Sequence, residues 1–245
     1  MDVRYERTTL TVEDRHWWYV GRRRILEGAV KSLALPASAA ILDAGCGSGR
    51  NLEWLARFGS VAGLEPAGDS LEAARRRGVG PVIEGSIEAI PSEGRSFELA
   101  TCLDVLEHVD DRRALRELHR VVRPKGLLVA AVPTYPWLWS DHDVRNRHRR
   151  RYTRKTLLEV ARETGWAPRW TSHFNSLLLP AAIASRLLER ARGARPPRSE
   201  FERTPPWLDP VLALPLRLEA ALIRNEVRIP AGLSLLAVLD RVDTS

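Results

Sequence analysis

Apolar and polar positions change period several times along the chain, and the changes mark out alternating helices and strands. From 13 to 34, Trp17, Trp18, Val20, Ile25, Leu26 and Val30 give apolar surface to one predicted helix, interrupted by Arg22, Arg23 and Arg24 and ended by Pro36. Short apolar runs then recur at Ala40–Asp43, Val61–Glu65, Pro81–Glu84, Phe97–Leu103 and Gly126–Val132, with a sixth at 167–173 and another at Ser234–Leu239. Helical patterns separate them at Arg50–Phe58, Ser70–Arg77, Asp111–Val122 and Thr153–Thr164, the last capped by Thr153 and closed by Gly165. This alternation predicts an α/β fold, a mostly parallel sheet with helices on both faces.

The long separation between the last two strands holds two amphipathic helical patterns, 176–192 and 208–225. They flank the Pro/Arg-rich stretch Ala194–Arg198 and the pair Pro205–Pro206. We read 1–245 as a single domain, with 1–37 as an N-terminal helical cap and 174–231 as a helical insertion.

The charge is uneven. The whole chain carries a formal +7, but residues 1–144 sum to about −2 and 145–245 to about +9. The basic half suits an anionic substrate, an anionic lipid surface or nucleic acid, and charge does not choose among them. The start has no apolar signal-like run, no stretch reaches the ~18 apolar residues of a membrane span, and two cysteines make no disulfide framework. These features predict a cytoplasmic protein. No CxxC, HExxH or Cys/His cluster marks a metal site, and none is expected.

The strongest local signal is ILDAGCGSGRN, Ile41–Asn51. A strand runs into a tight turn at Gly45, Cys46, Gly47 and Gly49, where glycines let backbone approach a ligand. The G-x-G-x-G spacing differs from the G-x-G-x-x-G of dinucleotide sites. Asp43 would oppose a pyrophosphate but suits the ammonium end of an amino acid. Glu65, followed by Pro66 at the end of the second strand, is placed to accept ribose hydroxyls. Ser86 and Ile87, after the third strand, are placed to meet a base through a hydrogen bond and a ring face. The loop Leu103–His108 follows the fourth strand.

Together the motifs ILDAGCGSG, GLEPAGDSLEAAR, EGSIEAIP, CLDVLEHVDD and LHRVVRPKGLLVAAVP resemble the class I methyltransferases that use S-adenosylmethionine (SAM), and within them the type 11 small-molecule group. The resemblance covers residues 38–133. It implies a Rossmann-like seven-stranded sheet with an antiparallel last strand at Ser234–Leu239. It also implies SAM as cofactor, with the glycine loop along the methionine portion, Glu65 on the ribose, Ser86 and Ile87 at the adenine, and a backbone contact from Leu103 near the ammonium. The flanks, HWWY followed by GRRR and HD followed by RRRYT, resemble a subgroup associated with methylation of glycan- or lipid-linked acceptors.

A methyl acceptor bearing a proton needs a base, and His142 and His108 are the candidates. Arg22 or Arg23 is suited to the cofactor's carboxylate. Trp18 and Tyr19 are candidates for a lid. Tyr135, Trp139, Asp141, Arg145, Arg151 and Tyr152 are candidates for the acceptor side, the arginines for an anionic group. The expected activity is methyl transfer to oxygen or nitrogen of a small-molecule or lipid/glycan-linked acceptor. Peripheral contact with the anionic inner face of a membrane and a homo-oligomer stay open. An RNA methyltransferase or a non-catalytic SAM-binding module is the alternative, although the absence of a recognisable RNA-binding module disfavours nucleic acid.

Overall fold

A computed structural model describes residues 10–192 and 206–243. Helix α1 spans Trp17–Lys31. It is followed by β1 (Ala40–Ala44), α2 (Arg50–Leu55), β2 (Ser60–Glu65), α3 (Asp69–Arg77), β3 (Val82–Glu84), β4 (Phe97–Leu103), α4 (Asp111–Val121) and β5 (Val122–Pro133). The remaining elements are α5 (Asp141–Arg145), α6 (Arg154–Glu163), β6 (Trp166–Phe174), α7 (Leu179–Arg192), α8 (Asp209–Arg224) and β7 (Ser234–Arg241). The sheet order is β3-β2-β1-β4-β5-β7-β6. The strands from β3 to β5 are parallel, and β7 runs antiparallel to both of its neighbours. The seven-stranded, Rossmann-like arrangement with an antiparallel last strand is thus present.

Alternation along the strands builds two cores. Leu42, Leu128, Ala130, Val132, Leu235, Ala237 and Leu239 face one side, with Leu115 and Leu118 of α4 and Leu157 of α6. Ile41, Val129, Ala131, Leu236 and Val238 face the other, with Ile25 and Leu26 of α1, Leu52 of α2 and Leu216 of α8. The central strands are apolar at nearly every position because both faces are covered.

The first helix is shorter than its pattern predicts. His16 adopts extended geometry and its Nδ1 accepts from the Trp18 amide, so α1 starts at Trp17. Glu13 lies in a turn and is drawn away from the helix axis: its Oε1 accepts from Ser48 Oγ at 2.6 Å and from Arg77 at 2.8 Å. Predicted helix α6 keeps its capping box, Thr153 with Thr156, and Gly165 follows at φ 88°.

Helix α8 lies tightly on α1. A Cβ on Gly21 would come within 2.3 Å of Leu216 Cδ1, and one on Gly28 within 3.2 Å of the Ala220 carbonyl, so two glycines on one face of α1 make the close approach. The buried carboxylate of Glu219 on α8 accepts from the amides of Asn175 and Ser176 at 2.5 and 2.7 Å, fixing the chain as it leaves β6. The predicted Ala194–Arg198 stretch and Pro205 lie outside the described residues.

Candidate cofactor and acceptor site

The glycine loop, Glu65 and the loop after β4 meet where the parallel strands end. Gly45, Gly47 and Gly49 have φ of 80°, 55° and 77°, a left-handed geometry that a side chain strains. Their surroundings differ. A Cβ on Gly45 would strike Val105 Cγ2 at 2.4 Å, one on Gly49 would reach the Ala74 backbone at 3.0 Å, and one on Gly47 would meet nothing within 4 Å. Gly47 therefore borders open space. The amides of Gly45 and Cys46 donate to the Leu64 carbonyl at 2.8 and 3.0 Å, which locks the turn to β2.

Asp43, the last residue but one of β1, is fully buried. Its Oδ1 accepts from Thr101 Oγ1 at 2.6 Å, while Oδ2 has no hydrogen-bond partner. Burial raises its carboxyl to about 6, against the opposing pull of the Thr101 hydroxyl, Arg22 and the Asn51 side chain. A buried acceptor without a donor beside an open glycine cradle fits the ammonium of a bound amino-acid cofactor. Glu65 Oε2 accepts from the Gly47 amide at 2.9 Å, so the acid of β2 sits against the same cradle.

The predicted base-side residues are less uniform. Ser86 is exposed and its Oγ accepts from the Glu88 amide. Ile87 is buried in the core with Leu64 and Ile90, which leaves little of it for a ring face. Pro66 is exposed; Cys46 and Leu103 are buried beside the loop, and burial pushes the Cys46 thiol well up.

The two arginine candidates separate. Arg22 is buried and pairs with Asp104 after β4 at 2.6 Å, and its Nε has no hydrogen-bond partner. Arg23 donates to the Glu13 carbonyl at 2.8 Å and serves the N-terminal turn. Trp18 and Tyr19 are half-buried, ring edge to ring face at 4.9 Å, with the Arg22 guanidinium 5.9 Å from the centre of the Trp18 ring.

On the acceptor side, Arg151 and Tyr152 both have partners within the protein. Arg151 clamps fully buried Asp143 at 2.8 and 2.9 Å and donates to the Thr134 carbonyl, so three of its five N–H groups are spent there. Tyr152 is 2% exposed and donates to Asp111 Oδ2 at 2.9 Å. Tyr135 stacks on His173 at 6.0 Å. Trp139 and Asp141 are exposed and Arg145 half-buried.

His142 packs against Asn146, and its ring centre lies 5.8 Å from that of His148. His108 is half-buried, and burial, with His148 beside it, holds its imidazole down to about 4. His148 went unassigned in the sequence, yet its Nδ1 lies 2.9 Å from Asp143 Oδ1. Glu107 is nearly wholly buried, and burial together with Asp104 pushes its carboxyl well above the usual range.

Residues 42–130 match the family described as "Methyltransferase domain". Over 178 residues the chain is 33% identical to the ubiquinone biosynthesis O-methyltransferase of Methylocella silvestris, covering 70% of this chain and 62% of that protein. Overall the chain spans between about a third and three fifths of the length of the curated relatives it matches. The fold is shared with the chain solved beside the Haloferax volcanii Trm112 methyltransferase activator (TM-score 0.65, 18% identity, 98% of this chain and 96% of that one). It is shared also with geranyl diphosphate C-methyltransferase of Streptomyces coelicolor, solved with S-adenosyl-L-homocysteine (TM-score 0.59, 15% identity, 88% and 76%). Residues 42–130 thus match a methyltransferase domain, and the chain shares the fold of class I SAM-dependent methyltransferases.

Proposed function

We propose that this protein transfers the methyl group of SAM to an oxygen or nitrogen of a small-molecule acceptor, with a lipid- or glycan-linked molecule as the favoured class. The observation that carries it is the buried, donorless Oδ2 of Asp43 beside the open face of Gly47. Bound SAM supplies a methyl group already activated by its sulfonium. Asp43 receives the ammonium, Glu65 the ribose hydroxyls, and Arg22 the carboxylate end, with Asp104 holding its guanidinium in place. The protein's work is then alignment and exclusion of water. In this scheme α1, which carries Arg22, is held in place by α8 packed tightly on it.

The small-molecule class is supported by the named relatives, which are O-methyltransferases of ubiquinone biosynthesis. Support for a lipid-linked acceptor comes from α8 and the turn before it. Trp207, Val211, Leu214 and Leu218 recur at helical spacing and are 74%, 58%, 55% and 56% exposed, with exposed Arg217, Arg224 and Arg228 nearby. An apolar stripe edged by arginines suits the surface of an anionic bilayer. No described helix is long and apolar enough to cross a membrane.

Calorimetry of the full chain with SAM, followed by transfer from labelled SAM into lipid and polar extracts, tests the proposal. Saturable SAM binding with label in an extractable product is expected. A folded chain that binds no SAM would overturn it.

A further inference from the structure

The loop after β4 and the segment before α6 bring Glu107, His108 and His148 together. Each offers one donor atom, and the three atoms lie within 4.8 Å of one another. The rings of His108 and His148 meet edge to face, with centres 4.7 Å apart. His148 is fixed from behind. Its Nδ1 faces Asp143 Oδ1 at 2.9 Å, and Asp143 is fully buried, gripped by Nε and Nη2 of Arg151 and by the Ser140 amide at 2.8 Å. A carboxylate facing one ring nitrogen leaves the other, Nε2, to meet a metal, the arrangement that orients a metal-binding imidazole. Glu107 is 1% exposed and its Oε2 has no hydrogen-bond partner. Leaving such an oxygen buried and unmatched is costly unless something cationic or donating meets it.

We infer that Glu107, His108 and His148 bind a divalent transition-metal ion, with Asp143 as the positioning residue behind His148. Two imidazoles and one carboxylate match zinc and its first-row neighbours better than magnesium or calcium, which take mainly oxygen ligands. Bonds of ~2 Å to one ion require the three donors to draw closer together than they stand without it. Three protein ligands leave one tetrahedral position open, as in catalytic rather than structural sites.

Glu107 and His108 follow Asp104, the partner of Arg22, so the open position lies on the cofactor's edge of the sheet. Resting on the methyl-transfer proposal, the open position takes the acceptor's hydroxyl. Coordination lowers the hydroxyl's pKa and its proton leaves to solvent. The oxygen lone pair then forms the new C–O bond as the S–CH3 bond breaks, its electron pair staying on sulfur. The metal itself takes the place of a general base.

The test uses the full chain, stripped with a chelator and titrated with Co²⁺, then Zn²⁺. One Co²⁺ per chain is expected, with the visible absorption of a four-coordinate site that Zn²⁺ abolishes. His108→Ala and His148→Ala should each weaken Co²⁺ binding ~100-fold or more, and Asp143→Asn by ~10- to 100-fold. His119→Gln, at a distant histidine that bonds the Val242 carbonyl, should leave it unchanged. SAM calorimetry on each variant reports folding independently of the metal. A chain that binds SAM but no saturable Co²⁺, or binds Co²⁺ equally well as His148→Ala, overturns the site. Specific Co²⁺ binding by a chain that binds no SAM supports the metal site and rejects only the methyl-transfer proposal.

Discussion

Glu65, at the end of β2, accepts the backbone amide of Gly47 at 2.9 Å, so the acid proposed for the ribose also ties the glycine loop to its neighbouring strand. Replacing it by alanine removes a charged hydrogen-bond acceptor worth roughly 1.5–3 kcal/mol. Glu65→Ala should therefore weaken SAM binding by ~10- to 100-fold in calorimetry. Unaltered affinity would separate Glu65 from the ribose.

The loop glycines should respond differently to the same substitution. Gly45→Ala combines ~1–2 kcal/mol of backbone strain with a Cβ 2.4 Å from Val105, and thermal unfolding should occur several degrees lower. Gly47→Ala carries similar strain but no overlap, so it loses less stability. Its methyl enters the open space proposed for the cofactor, and SAM affinity should fall at least ~10-fold. Equal affinity for SAM in Gly47→Ala and the parent chain would place the cofactor elsewhere.

Asp43 links cofactor binding to pH. Its carboxyl is raised to about 6 from an ordinary value near 3.8. The folded chain therefore binds this proton more tightly than the unfolded chain. The associated stability is fully present below the ordinary value and is lost as pH rises through about 6. Asp43→Asn should thus be more stable than the parent at pH 7.5, by up to ~3 kcal/mol, and show no such advantage near pH 3. An ammonium on Oδ2 favours the ionised form, so parent SAM affinity should fall as pH drops below 6, and that dependence should vanish in Asp43→Asn. Isothermal titrations in buffers of different ionisation enthalpy check the proton release.

Tyr152→Phe separates packing from recognition. Asp111 Oδ2 accepts from Tyr152 and is paired with Arg150, while Asp111 Oδ1 has no hydrogen-bond partner. Loss of the hydroxyl should cost about 1–3 kcal/mol in denaturant unfolding. SAM affinity and acceptor KM should stay unchanged, which a substrate contact would not allow.

Much of this fold is visible in local pattern. Phe97–Leu103 is predicted and found with the same ends, because a strand buried on both faces is mostly apolar and bounded by polar turns. The glycine loop and Glu65 are legible for a similar reason: tight turns and strand ends are local features. Acceptor-side residues are harder to place. Tyr152 looks in sequence like an aromatic among cations, and only the fold turns it onto Asp111. The absence of a metal motif in sequence rests on ligands close along the chain, whereas His108 and His148 meet across two loops. Asp143 gave the one hint: an acid five residues before a histidine in an otherwise basic run. The first helix starts four residues later than its pattern predicts, and Glu13, left in the turn before it, bonds to Ser48 and Arg77, residues that no helical period can foresee.

Strand β7 bonds to β5 on one edge and β6 on the other. β6 therefore has no place in the sheet until the excursion through α7 and α8 has returned with β7. The nascent chain must carry β6 as an unattached ribbon while some sixty residues emerge from the ribosome, at about 5–20 residues per second. Chaperone dependence in vivo and aggregation of stalled or truncated chains lacking β7 follow from that delay.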